Sequence, residues 1–157
     1  MRVGIGYDSH RFDANRPLVL GGITIPGSPG LIGHSDADAV AHALTDAILG
    51  AAALGDIGRL FPDSDPAWAG ADSVGLLCAA HELVRRNGWT LHQADVTVIA
   101  QTPTLAPHVD AMCTRLAVAL GVGEGAVSIK AKTNEGMGFI GRREGIAVMA
   151  VVTLTVV

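Results

Sequence analysis

Three residues in the first third of the chain have the side chains and the spacing of metal ligands. Asp8 and His10 lie two residues apart in 2–12, a stretch typical of a first strand, so both side chains point to the same face. His42 follows in an alanine-rich segment whose apolar spacing predicts a helix. One carboxylate and two imidazoles match the ligand count of a catalytic zinc site, which keeps its fourth position open. We therefore predict a metal ion on these three residues.

The segment that carries His42, residues 33–46, begins as a loop and continues as a helix. Ser35 and Asp36 are the candidate N-caps, because short polar side chains accept hydrogen bonds from the free N–H groups of a first turn. Those N–H groups and the positive end of the helix dipole suit an anion, and His34 lies beside them. An anionic ligand is therefore expected at this end of the helix.

Two acids share the helix face of the candidate ligand. Asp38 and Asp46 each lie four residues from His42. A metal-bound imidazole usually donates its other N–H to an acceptor, so either acid is a candidate partner of His42. Helix capping by Asp38 and solvation of Asp46 are the alternative, which the sequence leaves open.

Length, composition and net charge limit the classes of protein to which this chain can belong. The 157 residues predict one domain, spanning 1–157, and the core must be aliphatic because 49% of residues are hydrophobic while only 4% are aromatic. A net charge of −4 argues against a protein that binds the nucleic-acid backbone, which normally needs a basic face. The mean hydropathy of +0.39 favours buried contacts between subunits, with a tightly packed monomer as the alternative.

The cysteines and the apolar runs favour a cytoplasmic protein. Cys78 and Cys113 each fall in a predicted helix, and two distant cysteines favour free thiols without a disulfide. The N-terminus enters a strand without an apolar signal region. The longest apolar run, 146–157, is too short to span a bilayer and is rich in β-branched residues, so no membrane association is expected.

Periodicity and turn residues predict an α/β (α+β) fold, in which three helices cover a mixed four-stranded sheet and a small hairpin is added. The hairpin is placed at 18–26 by Gly21-Gly22, and a loop at 26–33 leads to the first helix, which ends near Leu54. The later segments are an irregular stretch 55–66, helix 71–87, strand 93–101, helix 107–120, strand 127–133, a glycine-rich loop 134–143 and strand 145–157.

Several motifs together resemble the 2-C-methyl-D-erythritol 2,4-cyclodiphosphate synthase family of the non-mevalonate isoprenoid pathway. They cover nearly the whole chain. The motifs are GYDSH at 6–10, HSDAD at 34–38, His42 followed by ALTD, GDIGRLFPD at 55–63, AQTP at 100–103 and KAKTNEGMGF at 130–139.

The resemblance implies a homotrimer whose sheets face the three-fold axis and whose active sites lie between neighbouring subunits. It implies zinc on Asp8, His10 and His42, and magnesium or manganese at the substrate diphosphate with Glu135 as protein ligand. His34 and Thr133 match the catalytic positions that support the transition state. A surface Glu135 that pairs with Lys132 or Arg142 is the alternative to the second metal site. Two positions depart from the family pattern: Arg143 stands where a smaller residue is expected, and Met149 stands where some members have an acid.

The implied substrate is a cytidine diphosphate ester, and the residues expected to bind it form four groups. The first group, Asp8, Ser9 and His10, is expected to bind the substrate beside the metal ligands. The second group lies around the methylerythritol phosphate and is His34, Ser35, Asp56, Ile57, Gly58, Phe61, Pro62, Asp63, Ser64 and Asp65. The cytidine and phosphate pocket is Ala100, Gln101, Thr102, Pro103, Thr104, Leu105 and Ala106 with Lys132, Thr133, Asn134 and Glu135. Phe139 and Arg142 are further binding positions.

The implied reaction suits a chain with few basic residues. The substrate's own 2-phosphate attacks the β-phosphorus and CMP leaves, so the nucleophile is already an anion and the catalyst mainly positions groups and neutralises charge. Two divalent cations would supply positive charge that the protein lacks.

Two other functions remain open at this point. A zinc hydrolase would use the same three ligands to activate water, with His34, Asp36 or Asp63 as its base. A non-catalytic trimeric binding module would use the metal structurally, but structural zinc sites normally have four protein ligands and only three good ones are found here.

Overall fold

The computed structural model describes residues 1–157 and contains seven strands and five helices. The strands are β1 (Arg2–Asp13), β2 (Leu18–Leu20), β3 (Ile23–Ile25), β4 (Gly30–Leu31), β5 (Trp89–Ile99), β6 (Val127–Lys132) and β7 (Gly145–Val156). The helices are α1 (Ala39–Ala52), α2 (Ile57–Leu60), α3 (Ser73–Arg86), α4 (Val109–Leu120) and α5 (Gly138–Gly141), with 3-10 turns at Pro66–Trp68, Ala106–His108 and Glu124–Ala126. None of these helices has the length and apolar character needed to cross a membrane.

The main sheet has the order β4-β1-β7-β5-β6, and β2 and β3 form a separate hairpin. Strands β1 and β5 flank β7 antiparallel, and β6 lies parallel to β5, so the predicted mixed sheet and hairpin are confirmed. The predicted count of four strands is wrong, because the sheet has five. The additional strand, Gly30–Leu31, pairs with Phe12 and Asp13 at the sheet edge and is too short to show any alternation in the sequence.

Glycines in β1 let α1 lie directly on the strand that carries two candidate ligands. A Cβ atom at Gly4 would stand 2.0 Å from the carbonyl oxygen of Ala47, and one at Gly6 would stand 1.9 Å from that of Ala43. Both contacts are far shorter than real carbon–oxygen contacts, so only glycine fits. This close approach brings α1, and with it His42, over β1.

The N-cap of α1 is Asp38, and the prediction of Ser35 or Asp36 is wrong. The fully buried Asp38 carboxylate accepts from two N–H groups of the first turn of α1 and from the N–H groups of Gly21 and Gly22 in the hairpin turn. One side chain therefore ties the hairpin to the helix. Because Asp38 already satisfies these helix N–H groups, they are not free for the anion expected at this end of the helix.

One face of the main sheet packs against the helices and the other is exposed and apolar. Val3, Ile5 and Tyr7 alternate along β1 on the exposed face, and each keeps more than half of its surface accessible, at 66%, 64% and 54%. Ile5 and Tyr7 pair across the ladder with Val151 and Met149, which are also exposed. The surface formed by these five residues is called the outer sheet face below.

Candidate active site

Asp8, His10 and His42 converge as the sequence predicts. The Oδ2 atom of Asp8 lies 2.7 Å from Nε2 of His10 and 3.0 Å from Nδ1 of His42, and the two ring nitrogens lie 3.3 Å apart. Asp8 and His10 occupy the same face of β1, and His42 comes from α1 above them. One oxygen and two nitrogen donors therefore point at a single position, as a metal site requires.

Hydrogen bonds at the outer ring nitrogens orient the two histidine rings. Nδ1 of His10 lies 2.6 Å from the carbonyl oxygen of Ile32, which can only accept, so Nδ1 carries a hydrogen and Nε2 is the nitrogen left to bind an ion at the centre. Nε2 of His42 lies 2.8 Å from Oγ of Ser73 and 3.0 Å from Oγ of Ser35. The outer nitrogen of each ring is thus hydrogen-bonded behind the site, which leaves Nε2 of His10 and Nδ1 of His42 to bind an ion, as is usual for metal-bound imidazoles.

The two acids predicted to support His42 act elsewhere. Asp38 caps α1, and the Asp46 carboxylate accepts from the backbone N–H of Ile57 at 2.8 Å. Burial raises the pKa of Asp46, against the effect of this hydrogen bond. The prediction that either acid contacts the His42 ring is wrong, because helix spacing places a side chain on a face without fixing which partner it meets. Asp46 instead holds the start of α2, where Ile57 lines the site.

The electrostatics of the three donors suit a divalent cation. Burial opposes ionisation of Asp8, but hydrogen bonds and charge attraction from His10 and His42 outweigh it and hold the Asp8 pKa below its usual value. Burial likewise opposes charge on His10, but contact with Asp8 raises the His10 pKa. The carboxylate is therefore anionic, and the positive charge that it attracts in the ligand-free chain can be replaced by a metal.

A cavity of about 210 Å³ surrounds the three donors and is called the metal pocket. It contains many of the residues expected to bind the methylerythritol phosphate, and it adds Gly33, Trp68 and Leu76, which were not predicted. Trp68 packs edge-on against Phe61 with ring centroids 5.0 Å apart, which closes one wall. The lining residues are Asp8, His10, Gly33, His34, Ser35, His42, Ile57, Gly58, Phe61, Asp63, Trp68 and Leu76.

A second cavity, of about 170 Å³, lies where the parallel strands β5 and β6 end side by side. We call it the nucleotide pocket, since it coincides with the residues expected to hold cytidine and phosphates. The N–H of Ala100 donates to the carbonyl of Lys132 at 2.9 Å, which joins its two walls. It shares no lining residue with the metal pocket; its own are Ala100, Gln101, Pro103, Thr104, Leu105, Ala106, Ala131, Lys132 and Thr133.

Glu135 stands beside the nucleotide pocket in an unusual backbone conformation. Its φ of +51° lies in the left-handed region, which is uncommon for residues other than glycine. Its exposed carboxylate accepts from the Thr133 hydroxyl at 3.2 Å. Arg142 pairs with Glu144 instead, at 3.2 Å, and Lys132 forms no salt bridge with Glu135. The alternative of a surface ion pair at Glu135 is thus not what the structure shows.

The remaining predicted positions lie outside both pockets. Ser9 alternates with Asp8 and His10 along β1, and it lines a third depression of about 200 Å³ together with Phe139 and with His10, which also lines the metal pocket. Arg143 has a φ of +62°, which explains why a smaller residue was expected there.

Arg16 clamps a loop of the metal pocket, a role that was not predicted from the sequence. Its guanidinium donates to the carbonyl oxygen of Gly33 at 2.6 Å and to that of Ser35, on either side of His34. It therefore fixes the backbone that presents His34 to the metal pocket. A lone arginine 17 and 19 residues from its two acceptors has no local pattern that would assign it this position.

Comparison with known proteins gives a consistent result. The profile of the YgbB family matches residues 1–155. The 2-C-methyl-D-erythritol 2,4-cyclodiphosphate synthase of Bordetella pertussis is 56% identical over 153 residues, covering 98% of this chain and 94% of that protein. A CDP-bound structure of 2C-methyl-D-erythritol-2,4-cyclodiphosphate synthase superposes with a TM-score of 0.90 at 42% identity, covering 98% of this chain and 100% of that one.

A longer protein contains the same fold. The bifunctional IspDF of Campylobacter jejuni matches with a TM-score of 0.96 and 47% identity over 99% of this chain, which spans only 42% of that protein. The family resemblance predicted from the motifs is confirmed by the profile, by the relatives of similar length and by this shared fold. The chain belongs to the YgbB family.

Proposed function

We propose that the protein converts 4-diphosphocytidyl-2-C-methyl-D-erythritol 2-phosphate into 2-C-methyl-D-erythritol 2,4-cyclodiphosphate and CMP. An oxygen of the 2-phosphate bonds to the β-phosphorus, the bond from that phosphorus to the bridging oxygen breaks, and CMP leaves with the bridging oxygen. The convergence of Asp8, His10 and His42 in the metal pocket, in a member of this family, is the observation that carries the proposal. No water enters the reaction, so a cyclic product is its signature.

We infer that Asp8, His10 and His42 would hold zinc, since one carboxylate and two imidazoles with inward lone pairs fit that ion and leave a position open. Glu135 would hold magnesium or manganese, because its exposed carboxylate offers a hard oxygen and has no cationic partner. When bound, the cations neutralise the phosphates and polarise their oxygens.

The chain's own groups bind and orient the substrate. Lys132 and Thr133, at the end of β6, offer an ammonium and a hydroxyl to phosphate oxygens. His34 is held by the Arg16 clamp at the mouth of the metal pocket, and its Nε2 lies 3.4 Å from the Asp65 carbonyl. Fixing the 2-phosphate in line with the β-phosphorus removes orientational freedom before reaction, and we assign this role to His34 and Thr133.

We also propose a homotrimer in which each active site joins the metal pocket of one subunit to the nucleotide pocket of its neighbour. Two observations support it: the pockets share no lining residue in one chain, and the outer sheet face leaves a row of apolar side chains exposed. Thr153 is the strand partner of Val3 at the edge of that face, and its hydroxyl is buried without a hydrogen-bond partner. A three-fold assembly would bury this face around its axis.

Product analysis tests the reaction. The protein is incubated with the cytidine diphosphate substrate, zinc and magnesium, and the products are followed by phosphorus NMR. CMP and a cyclic diphosphate are expected in equal amounts. A linear phosphate or diphosphate would support the zinc hydrolase and overturn the proposal.

Mixing two inactive variants tests the shared site. Trimers assembled from equal amounts of the His42→Ala and Glu135→Gln chains should regain activity, because about a quarter of the interfaces would join two intact halves. Each variant alone serves as control. Mixed trimers that remain inactive would show that both residues must come from the same chain.

A further inference from the structure

The outer nitrogen of His42 faces two hydroxyl groups in a buried pocket. Its Nε2 lies 2.8 Å from Oγ of Ser73 and 3.0 Å from Oγ of Ser35, and the two hydroxyl oxygens lie 3.1 Å apart. Ser73 is fully buried and Ser35 keeps only 6% of its surface accessible. Solvent therefore does not set the orientation of this ring, and the two serines do.

The directions of these hydrogen bonds follow from a third side chain. Ser73 donates its hydroxyl hydrogen to a carboxylate oxygen of Asp36, and its backbone N–H donates to the other oxygen at 3.2 Å. With its only hydrogen used, the Ser73 oxygen can only accept from the His42 ring. Nε2 of His42 must then carry a hydrogen, which leaves Nδ1 as the nitrogen available to an ion bound beside Asp8.

Ser35 completes the network without competing with it. Its oxygen accepts from the N–H of Ala37 at 3.2 Å, and its hydrogen is free to reach the second lone pair of Ser73. Every polar atom of this buried group is then satisfied, which rigidifies it. The carboxylate of Asp36 also accepts from the N–H of Asp38 at 3.1 Å, so the loop before α1 holds the carboxylate in place.

Helix capping does not account for the Ser73 hydroxyl. The N-cap of α3 is Asp72, whose carboxylate accepts from the N–H groups of Val74 and Gly75, each at 3.2 Å. The Ser73 hydroxyl points away from its own helix, to His42 and Asp36. Its contacts are therefore explained by the metal pocket and not by the start of α3.

We propose that Asp36 and Ser73 are positioning residues that form a carboxylate–hydroxyl relay, fix the hydrogen of His42 on Nε2 and so aim the Nδ1 lone pair at the metal. The inference rests on the metal site of the proposed function. A carboxylate that orients a metal-bound histidine through one intervening hydroxyl extends the usual direct contact between the two groups. Ser73 comes from a different helix, so the relay also couples the start of α3 to the metal pocket.

The first test measures zinc affinity without substrate, by competition with a chromophoric chelator. Ser73→Ala and Asp36→Asn should each weaken zinc binding by about 10- to 100-fold, the usual cost of losing such a partner. The double variant should be little worse than the weaker single variant, because both changes break the same relay. Thr45→Val and Asp72→Ala are the controls.

The controls separate positioning from stability. Thr45→Val deletes another fully buried hydroxyl of α1, one that bonds only to the Ala41 carbonyl, and Asp72→Ala removes the cap of α3. Both should lower the melting temperature of the metal-free protein and leave zinc affinity within about twofold of the unchanged protein. If either control weakens zinc binding as much as Ser73→Ala does, the effect is structural and the relay is overturned.

A spectroscopic measurement detects the hydrogen on Nε2 of His42 directly. In the cobalt-substituted protein, proton NMR should show paramagnetically shifted signals for the outer N–H groups of both histidines. The His42 signal should exchange slowly with solvent and should exchange faster or disappear in Ser73→Ala. The His10 signal, whose N–H donates to the Ile32 carbonyl, should be unchanged and serves as internal control. A His42 signal unaffected by the substitution would contradict the relay.

Failure of the relay is distinguishable from failure of the metal site. If Ser73→Ala and Asp36→Asn bind zinc like the unchanged protein while His42→Ala loses it, the site stands and the relay is wrong. If His42→Ala also binds zinc normally, the metal site itself is wrong. Should Ser73→Ala fail to fold, Asp36→Asn alone decides, because it keeps the hydroxyl of Ser73.

Discussion

The metal pocket and the Glu135 loop are built in opposite ways. His10 and His42 are held by hydrogen bonds at their outer nitrogens before an ion arrives, and the three donors of the metal pocket already lie within hydrogen-bonding distance of one another. The Glu135 carboxylate is exposed and accepts a single hydroxyl, from Thr133. A preorganised site binds its ion alone, whereas an exposed single carboxylate needs further ligands.

If both sites bind cations as proposed, this difference would give the two ions different roles in the reaction. We expect an ion in the metal pocket to stay bound through the catalytic cycle. An ion at Glu135 would depend on substrate phosphates to complete its ligands, so it would arrive with the substrate and leave with the products. The predictions below test this contrast between a resident and a substrate-dependent site.

The largest effect is expected at the resident site. His42→Ala removes one of three ligands, so zinc content should fall to near zero while the fold persists. Metal polarisation is worth several kcal/mol, so turnover should fall roughly a thousandfold or more. Metal analysis, circular dichroism and product assays measure the three quantities. Stoichiometric zinc with normal turnover in this variant would contradict the assignment of His42.

The metal ligands could be predicted because residue type and local spacing determine them. Asp8 and His10 share a strand face, and His42 is the one histidine on the small-residue helix that packs there. Predicting the ligand pair on the strand and the ligand on the helix required no knowledge of distant contacts, except the assumption that these two elements lie against each other. Gly4 and Gly6 make that meeting close, although their role became clear only from the structure.

The partners behind the ligands could not be predicted because they are chosen by tertiary contacts. Ser35, Asp36 and Asp38 are all good capping residues within four positions, and the sequence does not rank them. In the structure Asp38 caps the helix and also accepts a hydrogen bond from the hairpin turn. The carboxylate of Asp36 is therefore available to accept from Ser73. Ser73 lies 31 residues from His42, which leaves no local pattern to detect. The edge strand β4 was also missed, because it is too short to form a local pattern of its own.

Glu135→Gln should affect chemistry more than nucleotide binding. The amide keeps the shape of the side chain but loses the negative charge that a magnesium ion needs. Turnover should fall about a hundredfold, the scale of losing one preorganised charge at a transition state. Zinc content and the binding of CDP without magnesium should change little, because neither involves this carboxylate in the proposed arrangement.

The matched control for this change is Glu144→Gln. Glu144 is another exposed glutamate and pairs only with Arg142 at the surface. Its loss should leave turnover and magnesium dependence nearly unchanged, as expected for an exposed ion pair. If Glu135→Gln behaves like this control, the loop does not bind the second cation.

Moving α1 should disturb the metal pocket and spare the nucleotide pocket. Gly6→Ala would place a Cβ 1.9 Å from the Ala43 carbonyl and force α1 off β1, costing about 3 kcal/mol of unfolding free energy. Zinc affinity should fall with it, since His42 moves with the helix, while CDP binding should persist. Chemical denaturation and calorimetric binding measure these quantities.

Gly50→Ala provides the comparison within the same helix. No atom lies within 4 Å of the added Cβ, so the only expected change is better helix propensity, a gain of up to about 1 kcal/mol. Zinc affinity should be unchanged. Weaker zinc binding in Gly50→Ala would mean that α1 is sensitive to any substitution, and the effect of Gly6→Ala would then say nothing about close packing on β1.

The smallest effect is expected at a buried histidine that has no carboxylate partner. His81 keeps 4% of its surface accessible, and its Nε2 accepts from the Leu91 N–H at 3.2 Å, so the neutral ring is the form that fits. Burial lowers the His81 pKa, and the charge of Arg85 lowers it further, against the opposite effect of Glu82. The unfolded chain therefore binds a proton at higher pH than the folded one, and the contribution of His81 to stability is complete above the ordinary histidine pKa and is lost as pH falls below it. The unfolding free energy of the unchanged protein minus that of His81→Gln should decrease between pH 7 and pH 5, in urea titrations at each pH. A difference that stays flat, or that increases towards pH 5, would show that His81 gains a favourable partner on protonation, as His10 does beside Asp8.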